Sequence, residues 1–187
     1  FSITGYEDFS NNVGADVSGT TNGSSVSFDM TAPTLTTVSI ASTTSGFAHY
    51  AKENEDVVLT LVASEEIGST AGSVSMAGAT TGVTVAAGAD ATQWTATKTL
   101  ASHTEGTVAI SIDFSDLAGN SGTTVTSITT GNNVTYDKTA PTLTSVALAS
   151  NNDVSDTLAI VGNTITLTFV ADDNLQEPTP VSIAGAS

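Results

Sequence analysis

Carboxylates are the side chains in this sequence best placed to do chemistry. Nineteen Asp and Glu residues stand against three Lys, with no Arg and no Cys, for a net charge of −16. They recur in short groups: Asp29 ahead of Thr-Ala-Pro, Glu65-Glu66 after a Ser, Asp116 four residues before Asn120, Asp137 ahead of a second Thr-Ala-Pro, and the pair Asp172-Asp173. A hard cation such as Ca2+ takes about six to eight oxygen ligands, which carboxylates and an Asn amide can supply. Carboxylates held close together cannot all stay ionised cheaply without such a cation. A plainer reading competes. Asp and Asn hydrogen-bond their own backbone in turns, and Glu65 and Glu66 can be solvated surface charges. Calcium is the one cofactor these groups suggest. Asp29, Glu65, Glu66, Asp116, Asn120, Asp137, Asp172 and Asp173 are its candidate ligands.

Other chemistry has little to stand on. His49 and His103 lie apart, with no Cys and no second His at ligand spacing. The serines are many, but none sits in a nucleophile elbow, and no Gly-X-Gly-X-X-Gly leads from a strand into a helix. Trp94 and Tyr136 read as core or junction residues. No enzyme is expected. The charge excludes nucleic-acid binding, which needs Lys and Arg against phosphate, and docking on anionic lipid. No apolar run is long enough to span a membrane as a helix, so no direct membrane insertion is expected.

The elements that must position these carboxylates are strands. Val57–Ala63 places Val57, Leu59 and Leu61 on one face, and Gly106–Phe114 does the same with Val108, Ile110, Ile112 and Phe114. Thr34–Ala41, Ser73–Ala77, Gly82–Ala86, Gln93–Leu100, Thr123–Thr129 and Asn133–Tyr136 complete the set. Period-two alternation between turn residues marks antiparallel strands. About seven short strands in roughly 100 residues imply a two-sheet sandwich.

The strands repeat. Asp29–Ser42 (DMTAPTLTTVSIAS) returns 108 residues later as Asp137–Ser150 (DKTAPTLTSVALAS). Val57–Ala63 returns as Ile165–Ala171, and Val74–Ala79 returns, one residue out of step, as Val181–Ala186. Asp8, Asn12, Gly14, Val17, Gly23 and Val26 precede Asp116, Asn120, Gly122, Val125, Gly131 and Val134 by the same 108. Residues 1–28 are therefore expected to be the tail of one unit, 29–136 a whole unit, and 137–187 the front of the next. The chain reads as an internal piece of a longer polypeptide. Proline in each Thr-Ala-Pro fixes φ and makes a stiff entry into the first strand of the unit.

The Asp-X-Thr-Ala-Pro start, the run Leu59–Ile67 (LTLVASEEI) and the run Phe114–Asn120 (FSDLAGN) resemble the bacterial immunoglobulin-like tandem repeats of giant secreted surface adhesins, the biofilm-associated and ice-binding type. The resemblance implies an all-β fold of tandem immunoglobulin-like antiparallel β-sandwich domains on the extracellular bacterial cell surface. It implies an extender that holds a terminal binding domain away from the cell, with neighbouring repeats as partners and calcium stiffening the joints. In such a sandwich, Asp29, Glu65, Glu66, Asp116 and Asn120 would converge at one pole, and Asp137, Asp172 and Asp173 at the next. The alternative is a subunit of a surface layer, sheath or filament whose partners are other copies. A carbohydrate-binding module has less support, since no aromatic cluster lies on one face.

Overall fold

The computed structural model describes residues 1–44, 46–68, 73–177 and 181–183. They form strands and turns, with no helix among them. The chain divides into two compact units, Phe1–Asp137 and Lys138–Ser187.

In the first unit the strands are β1 (Leu35–Ser42), β2 (Tyr50–Ala51), β3 (Glu55–Ala63), β4 (Val74–Met76), β5 (Val83–Ala87), β6 (Gln93–Leu100), β7 (Gly106–Thr107), β8 (Ile110–Ile112) and β9 (Thr135–Tyr136). One antiparallel sheet runs β1-β3-β6-β5, and smaller sheets are β4-β8 and β2-β9-β7. Their inner faces share one core, the layered arrangement of a β-sandwich. The alternation in β3 is fully expressed: Val57, Leu59 and Leu61 are completely buried, while Thr60 between them is exposed. Each such side chain contributes about 1.5–3 kcal/mol by leaving water.

The structure departs from the expected strands in three places. Gly106–Phe114 is not one strand. Its first part pairs with β9 and its second with β4, so the chain changes sheets at Val108–Ala109. Thr123–Thr129 forms no regular strand. It bridges the layers instead: Val125 exchanges backbone hydrogen bonds with Ile112, and the Thr129 amide donates to the Val38 carbonyl (2.8 Å). The two-residue β2, which pairs parallel with β9, has too short a run to show in a hydropathy pattern. Lys98 points inward with Ala96 and Leu100, only 3% exposed. Its ammonium donates to the Thr81 carbonyl (2.9 Å) and the Ala79 carbonyl (3.4 Å), tying the turn before β5 to β6.

Residues 1–17 form a hairpin with bridges Ile3–Val17 and Glu7–Val13. Its inner part copies the hairpin at 114–122, while the outer bridge Ile112–Val125 is one residue out of step with Ile3–Val17. The bridge Glu7–Val13 matches Ser115–Ser121, and the Gly14 amide donates to the Tyr6 carbonyl as Gly122 does to Phe114 (2.8 and 2.9 Å).

The second unit holds β10 (Leu143–Ser150) and β11 (Ile165–Ala171), paired antiparallel. Every pairing falls 108 residues after its counterpart in β1–β3, including the register shift between Leu143 and Ser145, which repeats that between Leu35 and Thr37. The expected repeat of Val74–Ala79 ends at Val181–Ala186, of which Ala184–Ala186 lie outside the described residues.

Candidate metal centre

Three of the candidate ligands meet in the first unit. Asp29, Glu65 and Asp116 each bring one carboxylate oxygen within 4.8 Å of the other two. They line a cleft of about 350 Å³ together with Ser27, Glu66, Leu117 and Ala118.

Each carboxylate is placed by a local device. Asp116 opens a tight turn, in which the Asn120 amide donates to its Oδ1 (2.8 Å) and Asn120 Nδ2 to its Oδ2 (2.7 Å). The turn closes with Gly119 at φ 96°, a conformation that favours glycine. Burial pushes the Asp116 carboxyl up. The hydrogen bonds from Asn120, Gly119 and Ala118 outweigh it, so its pKa lies below the ordinary value of 3.8. Glu65 is carried in by a short return of the chain after β3. Ile67 bridges to Asp116, and the Gly68 amide donates to the Ser115 carbonyl (2.9 Å). Asp29 is held from both sides. Its Oδ1 accepts from the Thr31 amide (2.9 Å), and its carbonyl accepts from Asn120 Nδ2 (3.3 Å). Pro33 then enters the core fully buried.

Glu65 registers the crowding. Desolvation and then the charges of Asp29 and Asp116 raise its pKa above the ordinary 4.5. Three carboxylate groups facing one cleft offer up to six oxygens, within the range a Ca2+ ion takes. Glu66 lines the same cleft and is exposed. Asn120 works as a clamp on Asp116 and on the Asp29 backbone.

The remaining candidates lie elsewhere. Asp137 ends the first unit, its amide donating to the Ala51 carbonyl (2.9 Å). Asp172 and Asp173 belong to the second unit. Asp172 caps the entry to β10, accepting from the Thr142 amide (2.8 Å) and hydroxyl (2.6 Å). Those bonds hold its pKa below 3.8. Its counterpart Ser64 does the same for the Thr34 amide (3.0 Å). Asp173 Oδ1 accepts from the Asn174 amide (2.6 Å).

Two features escaped the sequence reading. Ser27 lines the cleft, and the Asp8–Asn12 turn reproduces the Asp116–Asn120 turn bond for bond. The 108-residue offset already paired Asp8 with Asp116 and could have flagged that turn.

A search of protein-family models, curated proteins and solved structures found no match to this chain.

Proposed function

We propose that this chain is an extender segment of a long extracellular bacterial adhesin, built from tandem immunoglobulin-like sandwich repeats and stiffened by calcium. The observation that carries this reading is the repeat itself. The strand register, the bulge, the caps and the acidic turn all recur at one spacing, as expected of a module copied along a rod. Calcium is assigned to Asp29, Glu65 and Asp116, with Glu66 beside them. The Asp29–Pro33 entry is pinned to the Asp116–Asn120 turn, so an ion there would fasten the boundary segment to the body of its own repeat. No catalytic role is proposed.

Thermal melts in calcium and in chelator test the metal. At a hundredfold excess over Kd, one site stabilises the fold by about 2.7 kcal/mol. Chelation should therefore lower Tm, and Glu65→Gln with Asp116→Asn should abolish the difference. An identical melt with and without calcium would sink the assignment. Single-molecule stretching tests the extender. A 108-residue repeat should unfold as one step gaining about 340 Å, from about 3.5 Å per extended residue less the folded length of about 40 Å. A rod-forming repeat should do so at higher force with calcium present.

A further inference from the structure

We propose that β5 is a docking edge for the β5 of a second copy of this chain, the two strands pairing antiparallel about a two-fold axis at Val85. In an antiparallel ladder, alternate residues turn their amide and carbonyl towards each neighbour. The Gly88 amide donates to the Gln93 carbonyl (2.7 Å), so in the same register Ala86 and Thr84 face Thr95 and Thr97 of β6. Val83, Val85 and Ala87 then direct their backbone groups to the outer edge. There the Val83 amide reaches the Thr80 carbonyl (3.2 Å), while the amides of Val85 and Ala87 meet no partner among the described residues. The opposite edge of the same sheet is closed by the chain itself. The Val38 amide donates to the Thr129 hydroxyl (2.8 Å), the Thr129 amide donates to the Val38 carbonyl (2.8 Å), and the Ser42 amide donates to the Ala48 carbonyl (2.6 Å). β5 also lacks the usual protections of an edge. None of Val83–Ala87 is charged or proline, and no bulge interrupts the pairing.

Backbone geometry and charge select a second copy as the occupant. An open edge is filled by an extended strand, whose main chain supplies the bonds. In a two-fold pairing centred on Val85, each Val85 exchanges amide and carbonyl with its own mate, and the Ala87 amide of each copy reaches the Val83 carbonyl of the other. The sequence carries no charged residue from Ile67 to Ala89, in a chain of net charge −16. Two copies can therefore approach along this edge without opposing carboxylates. The first charge beyond the strand is Asp90, and the register carries it to Thr80 of the other copy, not to its own mate. Thr80 lies between Ala79 and Thr81, whose carbonyls accept from the Lys98 ammonium (3.4 and 2.9 Å). Asp90 of each copy thus approaches a cation of the other. Because the β1 edge is closed, pairing stops at two copies and gives one continuous sheet, β1-β3-β6-β5 followed by its two-fold mate. Strands of five residues make a small contact, so the dimer is weak. None of this depends on calcium or on the extender reading.

Sedimentation velocity of the full 187-residue chain in EDTA, from micromolar to millimolar, tests the dimer. The chain should pass from monomer to dimer and no further. Ala87→Pro removes an amide that takes no part in the ladder with β6, so it should spare the fold. Lost twice per dimer, that donor should raise Kd at least about tenfold. Disulfide trapping reads the register, since the chain has no Cys. Thr84 of one copy faces Ala86 of the other as a non-hydrogen-bonded pair, where Cα atoms lie about 4.5 Å apart and a disulfide can close. A mixture of Thr84→Cys and Ala86→Cys chains should oxidise to a dimer joining one of each, many times faster than either variant oxidises alone. Thr84, Ala86 and Ala87 are all exposed, so the three variants should keep the unfolding transition of the core. A parent chain that stays monomeric at millimolar concentration, association untouched by Ala87→Pro, or equal trapping in mixed and single reactions would overturn the proposal.

Discussion

Glu65 and Asp116 share a cleft and titrate in opposite directions, and this makes the site visible to pH. The Glu65 carboxyl lies above its ordinary 4.5, so the folded state binds its proton more readily than the unfolded chain does. Its charge costs stability at neutral pH, and that cost is relieved as pH falls through the raised value towards 4.5. Asp116 is held low, so its contribution is present above 3.8 and is lost as pH falls through its folded value. In chelator, Tm should rise slightly on acidification from neutral pH and then drop below about pH 4. Glu65→Gln should remove the rise and lift the neutral Tm slightly. Asp116→Ala should lower Tm by about 5 °C or more, because the Asn120 amide and side chain lose their acceptor. A Tm that falls steadily from neutral pH would contradict the assignment for Glu65. The types and groups of these carboxylates were plain in the sequence. The resemblance already implied that Asp29, Glu65, Glu66, Asp116 and Asn120 share a pole; that Asp29, Glu65 and Asp116 alone bring carboxylate oxygens within 4.8 Å, with Asn120 acting as a clamp, was decided by the folded turn.

At the scale of the element, the repeat offers an internal control. A Cβ at Gly122 would lie 2.3 Å from the Phe114 ring and 2.8 Å from the Pro33 carbonyl, and both neighbours are fixed in the core. Gly122→Ala should cost about 2 kcal/mol in a denaturant melt, a typical overpacking penalty. At Gly14 the same Cβ meets the Tyr6 ring, but that ring is 46% exposed and can swing away. Gly14→Ala should change stability by less than about 0.5 kcal/mol. Equal costs at the two sites would show that the core does not hold Phe114 as described. Deleting buried bulk gives a third comparison. Leu59→Ala, at a fully buried position, should cost about 3 kcal/mol. Most strands were readable because alternation marks a half-buried strand. The segments that switch or bridge layers were not, since hydropathy reports burial and not the sheet in which a residue is buried. Val108, Ile110 and Ile112 keep perfect alternation while their chain passes from one sheet to another.

The whole molecule carries −16 with only three lysines to offset it. Self-repulsion of that size should make the chelated protein more stable in sodium chloride, by screening over about 10 Å at 0.1 M. Calcium should act at far lower concentration than magnesium, which prefers a tighter octahedral shell. If equal magnesium and calcium give equal Tm, the effect is screening and not a site. The two units should also differ in hydrogen exchange. β3 is covered on its core face, whereas β10 and β11 form a two-stranded sheet with Val146, Leu148 and Val170 exposed. Two strands alone are marginal in water. Amides of β3 should exchange orders of magnitude more slowly than those of β11.

Composition, alternation and the 108-residue spacing were enough to determine an all-β chain, its central core strands and the recurrence of its acidic turns. Each of these rests on local pattern, which the linear order of side chains carries in full. Tertiary structure decided the rest. It brought Asp29, Glu65 and Asp116 to one cleft, turned Lys98 inward onto two carbonyls, and covered Val134 and Tyr136. Those outcomes depend on which distant segments meet.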